Sequence, residues 1–290
     1  MAIKDLAISY NASSNAKVAL TFAVQMCRKY DAALTGLYAQ APLRFEGQVE
    51  RWITEEVRAS LRQAERESAK AIEASFRETA AAAGFAGTLD WVAEEGQTNT
   101  VLARLARHFD LLLIGQLSEP GDSRQQIRAE ELVMLSGKPL IIVPSGYQVR
   151  PFTEHAVIAW DRSRPAARAL SDAMQILETK QRLDVVTVAG KGKGGGKGKA
   201  GAKEAGKEAA PGGGLDILTH LKRHGIAAQR VALTASREGV GATILDYCRE
   251  QDADVLVMGA YGHARLREEL FGGVTRHVLQ HMTVPVLMSH

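Results

Sequence analysis

A glycine-rich segment near the end of the chain has the residue types and spacing of a phosphate-binding loop. In VMGAYGHARLREELFGGVT (257–275), Gly259 is followed by Gly262 and, after nine further residues, by Gly272-Gly273. Glycine lets main-chain N–H groups approach a ligand, and a helix expected to begin at Val274 offers unpaired N–H groups and a positive dipole end. This combination binds phosphate. A glycine-rich turn without a ligand has the same spacing, so both interpretations stay open.

Two better-known phosphate motifs are absent from the sequence. No G-x-x-x-x-G-K-[ST] segment occurs, and the Gly-Lys pairs at 190–214 are not followed by a Ser or Thr that could hold magnesium. The dinucleotide motif needs glycines directly after the first strand, but Asn11-Ala-Ser-Ser and Asp161-Arg-Ser-Arg contain none.

No catalytic set accompanies the glycine segment. A hydrolase needs a nucleophile with a base, or carboxylates about a metal. The titratable candidates fit a solvated loop better: His263, Arg265, Arg267, Glu268 and Glu269. The sequence therefore predicts a protein that is not an enzyme, with slow hydrolysis or autophosphorylation left open. His277 and His281 lie one helical turn apart, but no third residue has metal-ligand spacing, so no metal site is predicted.

Length and composition indicate two globular domains. The chain has 290 residues, of which 46% are hydrophobic, enough for two cores. No apolar run is long enough for a membrane span, and the amino terminus lacks the features of a signal peptide, so we expect a cytoplasmic protein without a membrane partner. Cys27 and Cys248 lie far apart in helical patterns, which indicates buried thiols rather than a disulfide.

The positive charge of the chain is concentrated in one insertion. Residues 190–214 contain six Lys and two Glu, a charge of +4, so the remainder carries 3 − 4 = −1. A nearly neutral remainder predicts no specific nucleic-acid partner. The insertion has no side chains suited to a core, which predicts a flexible loop; a basic tether for phosphate-rich polymers or anionic surfaces is the alternative.

The chain contains two copies of one unit. DLAISYNAS (5–13) aligns with HAVIAWDRS (155–163) at an offset of 150, which also places Tyr38-Ala39 on Val188-Ala189. Farther on, DLLLIG (110–115) aligns with DVLVMG (254–259), and both copies close with an apolar strand that follows a proline. Such self-similarity predicts two tandem domains.

Each copy alternates short apolar strands with helical patterns, which predicts a doubly wound, mostly parallel α/β sheet. The runs 111–114 and 255–258 are apolar at successive positions, as strands covered on both faces require. The first copy has a long helical pattern at 47–83. The second copy replaces this helix with the insertion and a shorter helix at 215–223.

These motifs resemble the universal stress proteins, specifically the tandem type. The resemblance covers nearly the whole chain and is strongest at 248–290. It implies two adenine nucleotide alpha hydrolase-like domains, at 1–147 and 153–290, each with a five-stranded sheet. It also implies a stress-response regulatory protein that, in one subgroup of the family, binds ATP.

The resemblance also implies which residues would bind the nucleotide. Asp161 would meet the ribose or adenine side, and Val188 would present main-chain atoms to adenine. The phosphates would be surrounded by the glycines and the helix start: Gly259, Gly262, Gly272, Gly273 and Val274. Magnesium would accompany the nucleotide.

Two departures from the family pattern affect this expectation. Gly273 stands where the ATP-binding subgroup has Ser or Thr, so one hydroxyl donor is missing, a loss of about threefold to tenfold in affinity. In the first copy, Ser118 and Gln126-Ile127 replace glycines and Asn11 replaces the aspartate. The sequence therefore predicts one nucleotide per chain, in the second domain; the alternative is an interaction module that binds no nucleotide.

The closing strands predict how the domains assemble. Strands at 140–143 and 284–288 would leave apolar edges that invite pairing. The connector of about ten residues can reach roughly 30 Å. We therefore expect an intramolecular pseudo-dimer through the last strands, and the family resemblance favours a further homodimer.

Overall fold

A computed structural model describes residues 3–41, 54–116, 127–190, 216–261 and 273–290. The chain forms two compact units, Ala2–Lys138 and Pro139–His290. Within the described ranges, no helix is both long enough and apolar enough to span a membrane.

Strands and helices alternate along the first half of the chain. Its elements are β1 (Asp5–Ser9), α1 (Ser14–Tyr30), β2 (Ala33–Gln40), α2 (Glu55–Ala82), β3 (Leu89–Glu95), α3 (Thr98–Ala106), β4 (Leu111–Gly115), α4 (Ala129–Ser136) and β5 (Leu140–Val143). The predicted long helix is α2, and the part of that prediction before residue 54 lies outside the described residues.

The second half repeats this order. Its elements are β6 (His155–Ala159), α5 (Arg164–Leu177), β7 (Arg182–Ala189), α6 (Ile217–Arg223), β8 (Gln229–Thr234), α7 (Val240–Glu250), β9 (Val255–Gly259), α8 (Gly273–His281) and β10 (Val286–Ser289). Helix α6 is followed by Gly225 at φ +74°, the left-handed conformation in which glycine ends helices. The predicted flexible loop at 190–214 lies, apart from Gly190, outside the described residues.

The unit Ala2–Lys138 contains a parallel sheet in the order β3-β2-β1-β4. Because crossovers between parallel strands are right-handed as a rule, the strand order puts α1 and α2, which contact each other, on one face and α3 and α4, which also contact each other, on the other. Strand β4 is buried from Leu111 to Ile114, as its continuous apolar sequence predicts. The predicted doubly wound α/β class is therefore confirmed.

The unit Pro139–His290 contains the strand order β5-β10-β9-β6-β7-β8. All of its pairs are parallel except β5 with β10, which run antiparallel with Ile141 opposite Leu287. Strand β5 thus joins the sheet of this unit, although the sequence repeat assigns it to the first copy. The domain limits 1–147 and 153–290 stay predictions.

A buried ionic network holds the amino ends of the strands in this second unit. The fully buried Asp184 accepts hydrogen bonds from Gln229, Tyr247 and Arg182, and one of its oxygens lies 2.9 Å from Nε2 of His155. Burial acts to raise the pKa of Asp184, but these hydrogen bonds outweigh it and hold the pKa below its ordinary value.

Asp254 forms the second centre of the network. It accepts bonds from the Thr153 main chain at 2.8 Å and from Nζ of Lys180 at 2.9 Å, and the Lys180 side chain is only 3% exposed. Burial acts to raise the pKa of Asp254, but the bond and charge of Lys180 and the bonds from Thr153 lower it overall. All residues of this network lie near the amino ends of the strands, and none lies at the carboxyl edge of the sheet.

Candidate functional site

The predicted site residues lie at the carboxyl edge of the sheet in the second unit. From β6 the chain moves to β7 and β8 on one side, and β9 pairs with the other side of β6. The carboxyl ends of β6 and β9 therefore form a topological switch point, where open α/β sheets bind ligands.

Asp161 occupies the turn that joins β6 to α5. Its Oδ1 accepts a hydrogen bond from the Ser163 N–H at 2.9 Å, and Ser163 Oγ caps the helix by accepting from Ala166 N at 3.2 Å. Between them, Arg162 has φ +62°. The turn thus fixes the aspartate carboxylate at the switch point and exposes it to solvent.

The corresponding turn of the first unit has the same geometry. Asn11 Oδ1 accepts from Ser13 N at 3.2 Å, Ser13 caps α1, and Ala12 has φ +61°. Asparagine therefore preserves the turn without the negative charge. The two turns therefore share one backbone conformation and differ in the charge of the side chain.

Val188 lies on β7, just past the end of β6. The carbonyl of Val186 accepts from Trp160 N at 2.8 Å, which directs the polar main-chain groups of Val186 toward β6. Because main-chain groups alternate along a strand, those of Val188 point to the same side. Strand β6 ends at Ala159, so these groups face the space beyond the strand end.

Gly259 ends β9 and lies directly against the start of α5. A Cβ at this position would come within 2.4 Å of both Pro165 C and Ala166 N. Gly115 has the same role in the first unit, where a Cβ would lie 2.6 Å from the Asn15 carbonyl oxygen. Close packing alone therefore explains both glycines, whether or not a ligand binds.

Gly273 begins α8, with Val274 as the second residue of that helix. Gly273 is exposed, and a Cβ there would meet no atom of the described residues within 4 Å. Tyr261 N donates to Oγ1 of the buried Thr275 at 3.5 Å, and this hydrogen bond connects the residues after β9 to α8. The sequence analysis did not single out Thr275, although a hydroxyl residue two positions after the glycine pair could have been recognised as a candidate hydrogen-bonding group. Gly262 and Gly272 lie outside the described residues.

Two described residues of the first unit, Asn15 and Ile127, differ from their counterparts at the carboxyl edge of the second. Counted back from the prolines before the last strands, Ile127 corresponds to Gly273, and Ile127 is 93% buried, with 7% exposure. Asn15 Nδ2 donates to the Gln116 carbonyl at 2.6 Å and so bridges α1 to the segment after β4. The second unit has Pro165 and Ala260 at these positions, which cannot form that bridge. Ser118 and Gln126 lie outside the described residues.

The histidines of α8 do not form part of a larger metal-ligand set. The rings of His277 and His281 stack with centroids 4.3 Å apart, and His281 Nδ1 bonds to the His277 carbonyl at 2.9 Å. In the part of the chain that the structure describes, no three His, Cys, Asp or Glu side chains are grouped as a metal site requires.

The second half of the chain is similar in sequence to a known protein family. The model of the universal stress protein family matches residues 153–290. A universal stress protein of Synechocystis is 26% identical over 190 residues, which span 64% of this chain and 60% of that protein.

Solved structures extend the likeness of fold to nearly the whole chain. A universal stress protein from Archaeoglobus fulgidus has a TM-score of 0.69 at 16% identity, with 98% of this chain and 95% of that chain covered. A functionally unknown protein from Pseudomonas aeruginosa has a TM-score of 0.56 at 14% identity, with 99% and 92% covered.

Proposed function

We propose that the chain, whose residues 153–290 match the model of the universal stress protein family, is a stress-response regulatory protein whose second domain binds ATP or another adenine nucleotide. Occupancy of this domain alters the binding of protein partners, and no chemical step is required. The first domain is a structural copy that binds no nucleotide.

Each predicted residue has a role that its position can support. Asp161 accepts hydrogen bonds from the ribose or the adenine side, and Val188 offers main-chain groups to adenine. The phosphates meet the glycine segment and the unpaired N–H groups at the start of α8. Magnesium accompanies the nucleotide through its phosphates, as Asp161 is the only acidic residue among these.

One observation supports this proposal most directly, the difference between the carboxyl edges of the two units. At positions that correspond when counted back from Pro285 and Pro139, Gly273 is exposed at the start of α8, and Ile127, two residues before α4, is buried. At equivalent turns, Asp161 carries a charge and Asn11 does not. The second unit thus has an exposed glycine and a charged side chain where the first has a buried isoleucine and a neutral amide. This difference is expected if only the second unit binds a ligand.

Equilibrium dialysis with labelled ATP tests the proposal. Asp161→Asn should weaken binding while keeping the turn, because asparagine forms the same turn at position 11. The matched control Asn11→Asp changes the first unit in the opposite sense and should leave binding unchanged. Gly262→Val should abolish binding. Absence of ATP binding to the wild-type protein would favour the interaction module instead.

We also propose that the two domains pair within one chain and that two chains form a homodimer. The antiparallel pairing of β5 with β10 supports the first part, since a strand of the first sequence copy covers the edge of the last strand. Halves expressed separately should be less stable than the full chain or should associate. Stable, monomeric halves would contradict the pairing.

A further inference from the structure

Both ring nitrogens of His155 face hydrogen-bond acceptors. His155 begins β6 and is only 3% exposed. Its Nδ1 lies 3.1 Å from the main-chain carbonyl oxygen of Gln251, and its Nε2 lies 2.9 Å from Oδ2 of Asp184. A carbonyl oxygen and an ionised carboxylate can only accept hydrogen bonds. Each nitrogen therefore needs a hydrogen, whereas a neutral imidazole carries one hydrogen for its two nitrogens.

The carboxylate of Asp184 does not supply the second hydrogen. Besides His155, its oxygens face three donors, which are the Tyr247 hydroxyl at 2.8 Å, the Arg182 guanidinium at 2.9 Å and the Gln229 amide at 2.6 Å. A proton on this carboxyl group would compete with these donors for the same oxygens. Burial acts to raise the pKa of Asp184, but the hydrogen bonds lower it overall, so Asp184 is ionised. The second hydrogen is therefore carried by His155.

The other acceptor of His155 lies at the carboxyl end of a helix. Gln251 is the C-cap of α7. The last carbonyl groups of a helix have no partner within it and carry the negative end of the helix dipole, where a cation is favourable. The main chain of His155 is fixed beside this helix end, because its carbonyl accepts from Asp254 N at 2.9 Å. One imidazole ring thus joins β6 to both β7 and the end of α7.

The first unit has no counterpart of this pair. Asp5 stands where the sequence repeat places His155. Thr35 pairs with Ala7 as Asp184 pairs with Val157, so a neutral threonine stands where the second unit has the carboxylate. The arrangement is a property of the second unit.

Several other ionisable groups surround this pair. They are Arg182 on β7, Tyr247 and Cys248 on α7, Asp254 before β9, and Lys180, which bridges Asp254 and Glu154. Burial raises the pKa of both Tyr247 and Cys248 to about 12, and Asp184 adds to the effect. Burial acts to raise the pKa of Asp254, but Lys180 and Thr153 lower it overall. Between about pH 6 and 9, these two aspartates therefore stay ionised, and Tyr247 and Cys248 stay neutral.

We propose that His155 is an imidazolium in the folded protein and acts as a proton-dependent latch, which holds the end of α7 to β6 and β7 and loosens in alkaline solution. Loss of the proton leaves a ring lone pair facing an oxygen of Gln251 or Asp184, so one of the two hydrogen bonds becomes a repulsive contact. This inference does not depend on nucleotide binding.

The latch links the stability of the second unit to pH in a definite direction. A histidine in an unfolded chain loses its proton above about pH 6.5. Because the folded network needs that proton, folding takes up one proton above this pH. The stabilisation is therefore fully present in mild acid and decreases as the pH rises, by up to about tenfold in the folding equilibrium constant per pH unit.

Nuclear magnetic resonance of the wild-type full chain tests the protonation directly. Two-bond correlations between ring protons and ring ¹⁵N nuclei distinguish an imidazolium from a neutral ring, and the ring of His155 is assigned through its own main-chain resonances. At about pH 7.5, both ring nitrogens of His155 should show the protonated pattern. One protonated and one unprotonated nitrogen would overturn the inference.

Urea unfolding between about pH 6 and 9 tests the latch. Glutamine in His155→Gln can still donate one hydrogen bond but carries no charge, so the variant should lack the added decrease of up to about tenfold per pH unit. The matched control is His108→Gln, at an exposed position of the first unit, which should follow the wild type. Equal pH dependence of the wild type and His155→Gln would overturn the inference. If His155→Gln does not fold, the ring nitrogen pattern of the wild type decides the matter alone.

Discussion

Substitution of Gly273 by serine should increase the affinity of the second domain for ATP. The helix start at Gly273 is exposed, its φ is not in the left-handed region, and a Cβ there would meet no atom of the described residues within 4 Å. Among those residues, serine therefore fits without displacing a neighbour. Its hydroxyl adds one hydrogen-bond donor to the phosphates, which contributes about 0.5 to 1.5 kcal/mol, or about threefold to tenfold in affinity.

Calorimetric titration with ATP measures the change, and Gly273→Ala supplies the control. Alanine adds the same Cβ and reduces the freedom of the unfolded chain in the same way, but it has no hydroxyl. The serine variant should bind ATP more tightly than both the alanine variant and the wild-type protein. Equal affinities of the serine and alanine variants would refute the reasoning that the start of α8 faces the phosphates.

Three further substitutions or treatments probe the framework. Asp254→Asn removes the buried partner of Lys180 and should destabilise the second unit by about 3 kcal/mol in urea unfolding. Because the pKa of Asp254 is lowered, this stabilisation is present above about pH 4 and is lost at lower pH, so the difference between wild type and variant should shrink in acid. Gly259→Ala should destabilise the protein by about 1 to 3 kcal/mol with or without ATP, as seen in its melting temperature. Burial raises the pKa of both Cys27 and Cys248 to about 12, so a thiol reagent at pH 8 should label them only after unfolding; rapid labelling of the native protein would contradict their burial.

The sequence predicts the repeated α/β units well because its patterns are local. Apolar runs of strand length specify β4 and β9, and polar turns with Ser13 and Ser163 specify the helix starts, where both serines act as caps. The register of β2 and β7 was harder to predict. The strand pairs place Ala33 on Arg182, an offset of 182 − 33 = 149, so the sequence alignment of Tyr38 with Val188 was wrong by one residue. When the alignment of β2 with β7 is shifted by one residue, apolar residues still lie on apolar residues. Hydrophobicity alone therefore cannot reveal the error.

The residues of the candidate site could be proposed from the sequence, but the contacts that they make could not. Spacing identified Gly259. Only the structure shows that the main chain of Pro165 and Ala166, far away in sequence, occupies the space that a Cβ at Gly259 would need. The buried pair of Asp254 and Lys180 likewise depends on tertiary contacts between distant segments.

The number of nucleotides bound per chain tests the central claim most directly. Native mass spectrometry of the full chain with saturating ATP counts them without a variant. The account predicts one nucleotide per chain, bound by the second domain. Two nucleotides per chain would show that the first domain is also a site, and none would show that the open edge at Gly273 does not bind ATP; either result would contradict the account.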